Sequence, residues 1–222
     1  MANENLTKED EVLKLTDWEI FTKIWTSPRL VFKFINEYRY DKFITMLLVL
    51  AGITATLNRA ASKGLGDQVP LFVVLIIGII AGAIFGWISY YIYAALISWT
   101  GKWLKGQGNT TSLLRMISYA TIPSIIVLIL YIPKIILFGN GIFQRDFDVF
   151  ESGNGILYEI IYLIFLLIEI VLGVWTLVIF VIGISEVQKI SIGKSILNLI
   201  LPAMVIFIPL GMIAFIVGDF FK

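Results

Sequence analysis

The sequence has no cysteine and no histidine. Without cysteine there is no disulfide, no thiolate nucleophile and no cysteine-bound metal. Without histidine there is no zinc site of the usual kind, no Ser-His pair and no histidine-ligated haem. Charge is also scarce: 33 of 222 residues are Asp, Glu, Lys or Arg, and 15 of those fall within the first 42. A net charge of +1 points to no strongly anionic partner, so nucleic acid is not expected. What remains is apolar. Hydrophobic residues make up 59% of the chain and the mean hydropathy is +0.91. A water-soluble core could not bury so much Leu, Ile, Val and Phe under so few charges. The expected solvent is the lipid bilayer.

A hydrocarbon core of about 30 Å takes about 20 apolar residues as a helix. Five runs meet this, at Phe43–Ala60, Val69–Trp99, Ile117–Phe138, Ile156–Ile184 and Ile196–Val217. They are continuous rather than alternating, which predicts helices and not barrel strands. The expected fold is therefore an all-α membrane bundle of five transmembrane helices. The chain divides into a polar tail (1–16), an amphipathic interfacial segment (17–42) and the five-span domain (43–222). Residues 1–17 have no apolar core of a signal peptide, so the first span is expected to stay as an anchor.

Five spans place the two termini on opposite sides. The side of the N-terminus would carry Lys8, Lys14, Lys23, Arg29, Lys33, Arg39, Lys42, Lys102, Lys105, Arg115, Lys189 and Lys194. The other side would carry Arg59, Lys63, Lys134, Arg145 and Lys222. The bias predicts a cytoplasmic N-terminus and an outer C-terminus. Trp99 and Trp103, with Lys102 and Lys105, mark the cytoplasmic interface of the second span.

Residues 17–42 carry two helical patterns. Trp18, Phe21 and Trp25 recur at i, i+3 and i+7, with Ile20 and Ile24 alongside. Thr26-Ser27-Pro28 breaks that pattern and starts another, with Leu30, Val31, Phe34, Ile35 and Tyr38 on one face. One or two helices lying along the membrane interface are expected, with a docking surface for a partner as the functional alternative.

Glu169 is the unusual residue of the spans. A carboxylate at the bilayer centre costs roughly 2.5–3.5 kcal/mol on insertion scales, so it should face the bundle interior. Tyr162, Gly173 and Thr176 share its helical face. No Lys or Arg is assigned to its depth, so it is expected to be uncharged and bonded to a hydroxyl or carbonyl of another span. Ser89, Tyr90 and Tyr91 are the candidates. A proton or cation relay is the functional reading; an interhelical hydrogen bond is favoured, since the carboxylate stands alone in mid-span. Gly78, Gly82 and Gly86 make two small-xxx-small steps, a face for close helix packing within the chain or against another subunit. Pro123, Pro133, Pro202 and Pro209 are expected to kink the third and fifth spans for packing.

Tyr40-Asp41 and Gly64-Leu65-Gly66-Asp67 suggest the paired carboxylates of an intramembrane aspartyl protease. The first span lies between them, however, and two such carboxyls must sit side by side. Solvated loop residues are the better reading. Asp146, Asp148 and Glu151 lack metal-loop spacing and are also read as solvated. No catalytic residue, metal or cofactor is expected.

Several segments in order resemble the bacterial branch of the Yip1-domain membrane proteins. They are Phe21-Thr-Lys-Ile-Trp-Thr-Ser-Pro-Arg-Leu-Val-Phe-Lys-Phe-Ile, Asn58-Arg-Ala-Ala-Ser-Lys-Gly-Leu-Gly-Asp67, Ala95-Leu-Ile-Ser-Trp-Thr-Gly-Lys-Trp-Leu-Lys-Gly106, and Glu186-Val-Gln188 with Lys194, Leu197, Asn198 and Pro202. The family-like loop residues are Arg59, Asp67, Glu186 and Gln188. The resemblance implies a five-helix bundle in the bacterial inner membrane with a cytoplasmic N-terminus. It supplies no catalytic residues. Eukaryotic members act in vesicle traffic with prenylated GTPases, and one bacterial member is an accessory subunit of an ABC-type exporter. The expectation is a non-enzymatic accessory or scaffold subunit with a membrane-protein partner, or a homo-oligomer. The alternative is a small transporter or lipid-handling protein built on Glu169 and kinked helices.

Overall fold

The structure, a computed structural model, describes residues 15–145 and 155–220, with side chains omitted at 210 and 213–220. Residues 1–14 of the polar tail, the loop acids Asp146, Asp148 and Glu151, and Lys222 lie outside the described residues. Among those described there is no strand. Eight α-helices follow in order: α1 Asp17–Thr26, α2 Pro28–Glu37, α3 Ile44–Ser62, α4 Leu71–Trp103, α5 Thr110–Ala120, α6 Ile122–Phe138, α7 Ile156–Gln188 and α8 Ile192–Phe220. Five units are long and apolar enough to cross a membrane: α3, α4, Thr110–Phe143, α7 and Ile192–Pro209 of α8. The protein is an all-α membrane bundle. Helices α4 and α7 each have 33 residues, about 50 Å at about 1.5 Å per residue. That length exceeds a perpendicular crossing.

The third span differs from its expected bounds. It begins at Thr110 rather than Ile117, because Asn109 caps α5: its side chain accepts the Ser112 N–H at 2.8 Å, while Ser112 Oγ accepts the Asn109 N–H at 3.0 Å. Thr121 ends α5 and begins α6, and Pro123 sits in the first turn of α6, where its missing N–H is least costly. Arg115, expected in a loop, is therefore a helix residue.

Helices α1 and α2 pack against one end of the bundle. The Thr16 side chain accepts the Glu19 N–H, and the Glu19 carboxylate accepts the Thr16 N–H at 2.9 Å, a capping box that fixes the start of α1. Phe21 and Trp25 are half-buried against the core. Trp18 is 76% exposed, while Ile20 and Ile24 are fully buried. In α2, Val31, Phe32, Phe34 and Ile35 are buried. These side chains share one apolar cluster with Leu47 of α3, Ile97 of α4, Met116 of α5 and Ile184 of α7. A smaller cluster of Leu57, Val74, Val127, Tyr131 and Phe143 lies toward the other end. The end that carries α1 and α2 is called here the near end, and the opposite one the far end.

The glycine face of α4 packs within the chain. Helix α3 makes its most extensive contact with α4, and a β-carbon at Gly86 would overlap the Cα of Gly52. One at Gly82 would meet the Ile53 and Gly52 backbone, and one at Gly78 would meet the Leu57 side chain. The two backbones touch because these positions have no side chain.

Candidate functional site

Two polar assemblies stand out within the apolar bundle. The first lies toward the far end, between α3, α6 and α7. Lys134 sits four residues before the end of α6, and its ammonium lies 2.6 Å from Glu169 Oε1. The two side chains are 12% and 24% exposed. The expectation that no cation reaches Glu169 is thus overturned. Helices α6 and α7 run antiparallel, and Phe138 packs on Tyr158, Tyr162 and Phe165. That register places Lys134 one turn deeper, beside Glu169. Neutralisation by Lys134 makes the carboxylate tolerable at this depth. The Lys134 ammonium also lies 5.4 Å from the Tyr131 ring centroid, and the Tyr131 hydroxyl donates to Asn58 Oδ1 at 2.7 Å. Together with Ser62, Ser124, Tyr162 and Gly173 these residues line a cavity of about 380 Å³.

Tyr162 is thus brought to Glu169, but Thr176 and Tyr90 are not. The Thr176 hydroxyl donates to the Leu172 carbonyl of its own helix at 2.8 Å, a bond that satisfies it locally. It lines a neighbouring cavity with Tyr93, Phe180 and Leu199. The Tyr90 hydroxyl reaches toward the Ala51 carbonyl at 3.4 Å, across the α3–α4 contact. It shares a third cavity with Arg59, Thr56 and Ser89, and so does not serve as a partner of Glu169.

The second assembly lies at the near end and is built on Gln188, the last residue of α7. Gln188 is fully buried. Its Oε1 accepts the Gly108 N–H at 2.9 Å, and its Nε2 donates to the Ile97 carbonyl at 3.1 Å. Its own carbonyl accepts the Gln107 N–H at 3.0 Å. One residue thereby ties the α4–α5 loop to α4 and α7. A side chain at Gly101 or Gly106 would collide with the Gln188 amide, and one at Gly108 would press tightly on it. Beside it, Thr100 Oγ1 lies 2.9 Å from Asn198 Oδ1 of α8. Glu186 accepts from Lys189 at 2.7 Å.

Two further residues of this end depart from expectation. Asp41 is not merely solvated: its carboxylate accepts from Arg115 Nε at 2.6 Å, and the Arg115 side chain is only 6% exposed. Asp17 accepts from Tyr40 and Lys42; these bonds hold its carboxyl below the usual range, and the Lys23 and Thr16 bonds hold that of Glu19 at about 2. The Tyr40 hydroxyl is pushed up, first by burial and then by Asp17.

Asp67 lies at the opposite end from Asp41. Gly64 adopts φ 63°, and Asp67 Oδ2 accepts the Arg145 N–H at 3.1 Å. The Asn140 amide donates to the Gly66 carbonyl at 2.8 Å. Two far-end loops are clasped together there, and the two aspartates never meet. Among the described residues no group of acidic residues is placed to hold a metal ion.

Five helices long and apolar enough to cross a membrane define a polytopic membrane protein. Residues 22–213 match the Yip1 domain, and the chain belongs to that family. Neither the curated proteins nor the solved structures contain a match.

Proposed function

We propose that the protein is a non-enzymatic accessory or scaffold subunit of a larger membrane assembly, such as an ABC-type exporter, and that its near end carries the docking surface. The supporting observation is the Gln188 assembly. It holds the α4–α5 loop, the end of α7 and the start of α8 in one arrangement through buried hydrogen bonds. Preformed surfaces bind with less ordering cost than loose loops. The capped α1 adds an exposed Trp18 to the same end, an aromatic of the type enriched at interfaces. The charge distribution favours a bacterial inner membrane protein with this end in the cytoplasm and the C-terminus outside.

Purification in mild detergent, with photo-crosslinkers at Trp18 and Gln107, tests this reading. A stoichiometric partner crosslinked at the near end is expected. Recovery of the chain alone, with no near-end adduct formed in the membrane, would count against it.

A second reading rests on the Lys134–Glu169 cavity: transport of a cation or proton across the far half of the bundle. Its requirement is that the Lys134→Met/Glu169→Leu double variant folds yet loses function. The scaffold reading expects that variant to keep its partner.

A further inference from the structure

Among the described residues three non-glycine positions have positive φ: Arg39 (49°), Lys105 (65°) and Lys189 (56°). Each closes a helix with a left-handed cap, the next residue's N–H bonding the carbonyl five positions back (Tyr40 to Ile35, Gly106 to Gly101, Ile190 to Ser185). Two of the three, Arg39 and Lys189, line the same near-end cavity of about 450 Å³. Arg115 lines it too. The three cations arrive from different elements: the turn after α2, the body of α5 and the cap of α7.

No carboxylate lines this cavity. The nearby acids hold the cations from outside its wall. Asp41 takes Arg115 through Nε, and Glu186 takes Lys189. Arg115 is 5% exposed, and its two terminal amino groups bond to no described residue. Arg39 has no acidic partner among the described residues. The wall is completed by the first turn of α5, with Asn109, Thr111 and Ser112, where the helix dipole favours an anion.

We infer that this cavity binds a phosphomonoester. A dianionic tetrahedral group can accept from donors arriving on several sides, as Arg39, Arg115, Lys189 and the α5 N-terminus do. A planar carboxylate is served by one guanidinium fork. The cavity exceeds a phosphate alone and leaves room for the organic part. The phosphate is carried by a soluble metabolite or by a lipid headgroup, and recognition is the same for either.

The full-length chain in phosphatidylcholine nanodiscs is titrated calorimetrically with glycerol 3-phosphate. In parallel, nanodiscs containing phosphatidic acid are assayed for retained lipid by native mass spectrometry. Saturable binding of at least one probe is expected. Arg39→Ala, at an exposed turn, should weaken it roughly tenfold, as the loss of one charge-assisted contact does. Lys189→Asn, which keeps a residue tolerant of left-handed backbone, should weaken it comparably. Lys63→Ala at the far end should change nothing. Binding of glycerol 3-phosphate assigns a soluble ligand; binding of phosphatidic acid alone assigns the membrane. Saturation by neither probe, or full binding by both near-end variants, overturns the inference. Docking of a protein partner is a separate measurement and does not alter these outcomes.

Discussion

Lys134 shows how a single residue changes the meaning of its neighbours. In sequence it stands near the end of an apolar run and counts as a flanking charge. The antiparallel register of α6 and α7 brings it instead against Glu169. The available signal was an opposite charge within each of two spans, but depth along a helix longer than the bilayer cannot be read from residue counting. Lys134→Met should destabilise the folded protein by about 3 kcal/mol, the scale for stranding one member of a half-buried pair. Lys134→Met/Glu169→Leu should recover most of that loss, as a double-mutant cycle in detergent unfolding would measure. The glycines divide in the same way. Gly86→Val should cost about 1–3 kcal/mol because it strikes backbone that cannot yield. Gly173→Ala, with open space around it, should leave the thermal midpoint unchanged or higher.

Among the elements, the five spans were legible because apolar length alone specifies them, while their ends were not. The end of α4 and the start of α5 depend on Gln188, a residue 80 positions from the Gly108 amide it binds, and no local pattern announces such a link. Gln188→Ala should cost about 2 kcal/mol by leaving the Gly108 N–H buried and unpaired. Hydrogen exchange at Gln107 and Gly108 should accelerate. Helix α1 was legible as a helix but not in its orientation, since Trp18 and the neighbouring Ile20 are both apolar while only Ile20 and Ile24 are fully buried. Its attachment should depend on pH. The carboxyls of Asp17 and Glu19 are held below their usual values in the folded chain. Their stabilisation is therefore present above the unfolded pKa and lost as pH falls through the folded one. For Glu19 that window runs from 4.5 down to about 2. Fluorescence of Trp25, with the other five tryptophans replaced by Phe, should report loosening of α1 across it and no change between neutral pH and 5.

For the molecule as a whole, the odd number of crossings has the plainest consequence. Tags at the two termini should be accessible from opposite faces of a sealed vesicle, and protease protection can measure this. The composition made the membrane setting legible. The uneven distribution of buried polar groups was not, since Arg115 and Gln188 fall between the apolar runs, and Asn198 at the start of one, until the chain folds them inward. Backbone contact between α3 and α4 also limits how the protein can change shape. With Gly52 set against Gly82 and Gly86, neither helix can rotate or slide without collision, so the two move as one strut. Any opening of the bundle is then a parting of α7 or α8 from that strut, and a spin-label distance between α3 and α4 should stay fixed while distances to α7 change.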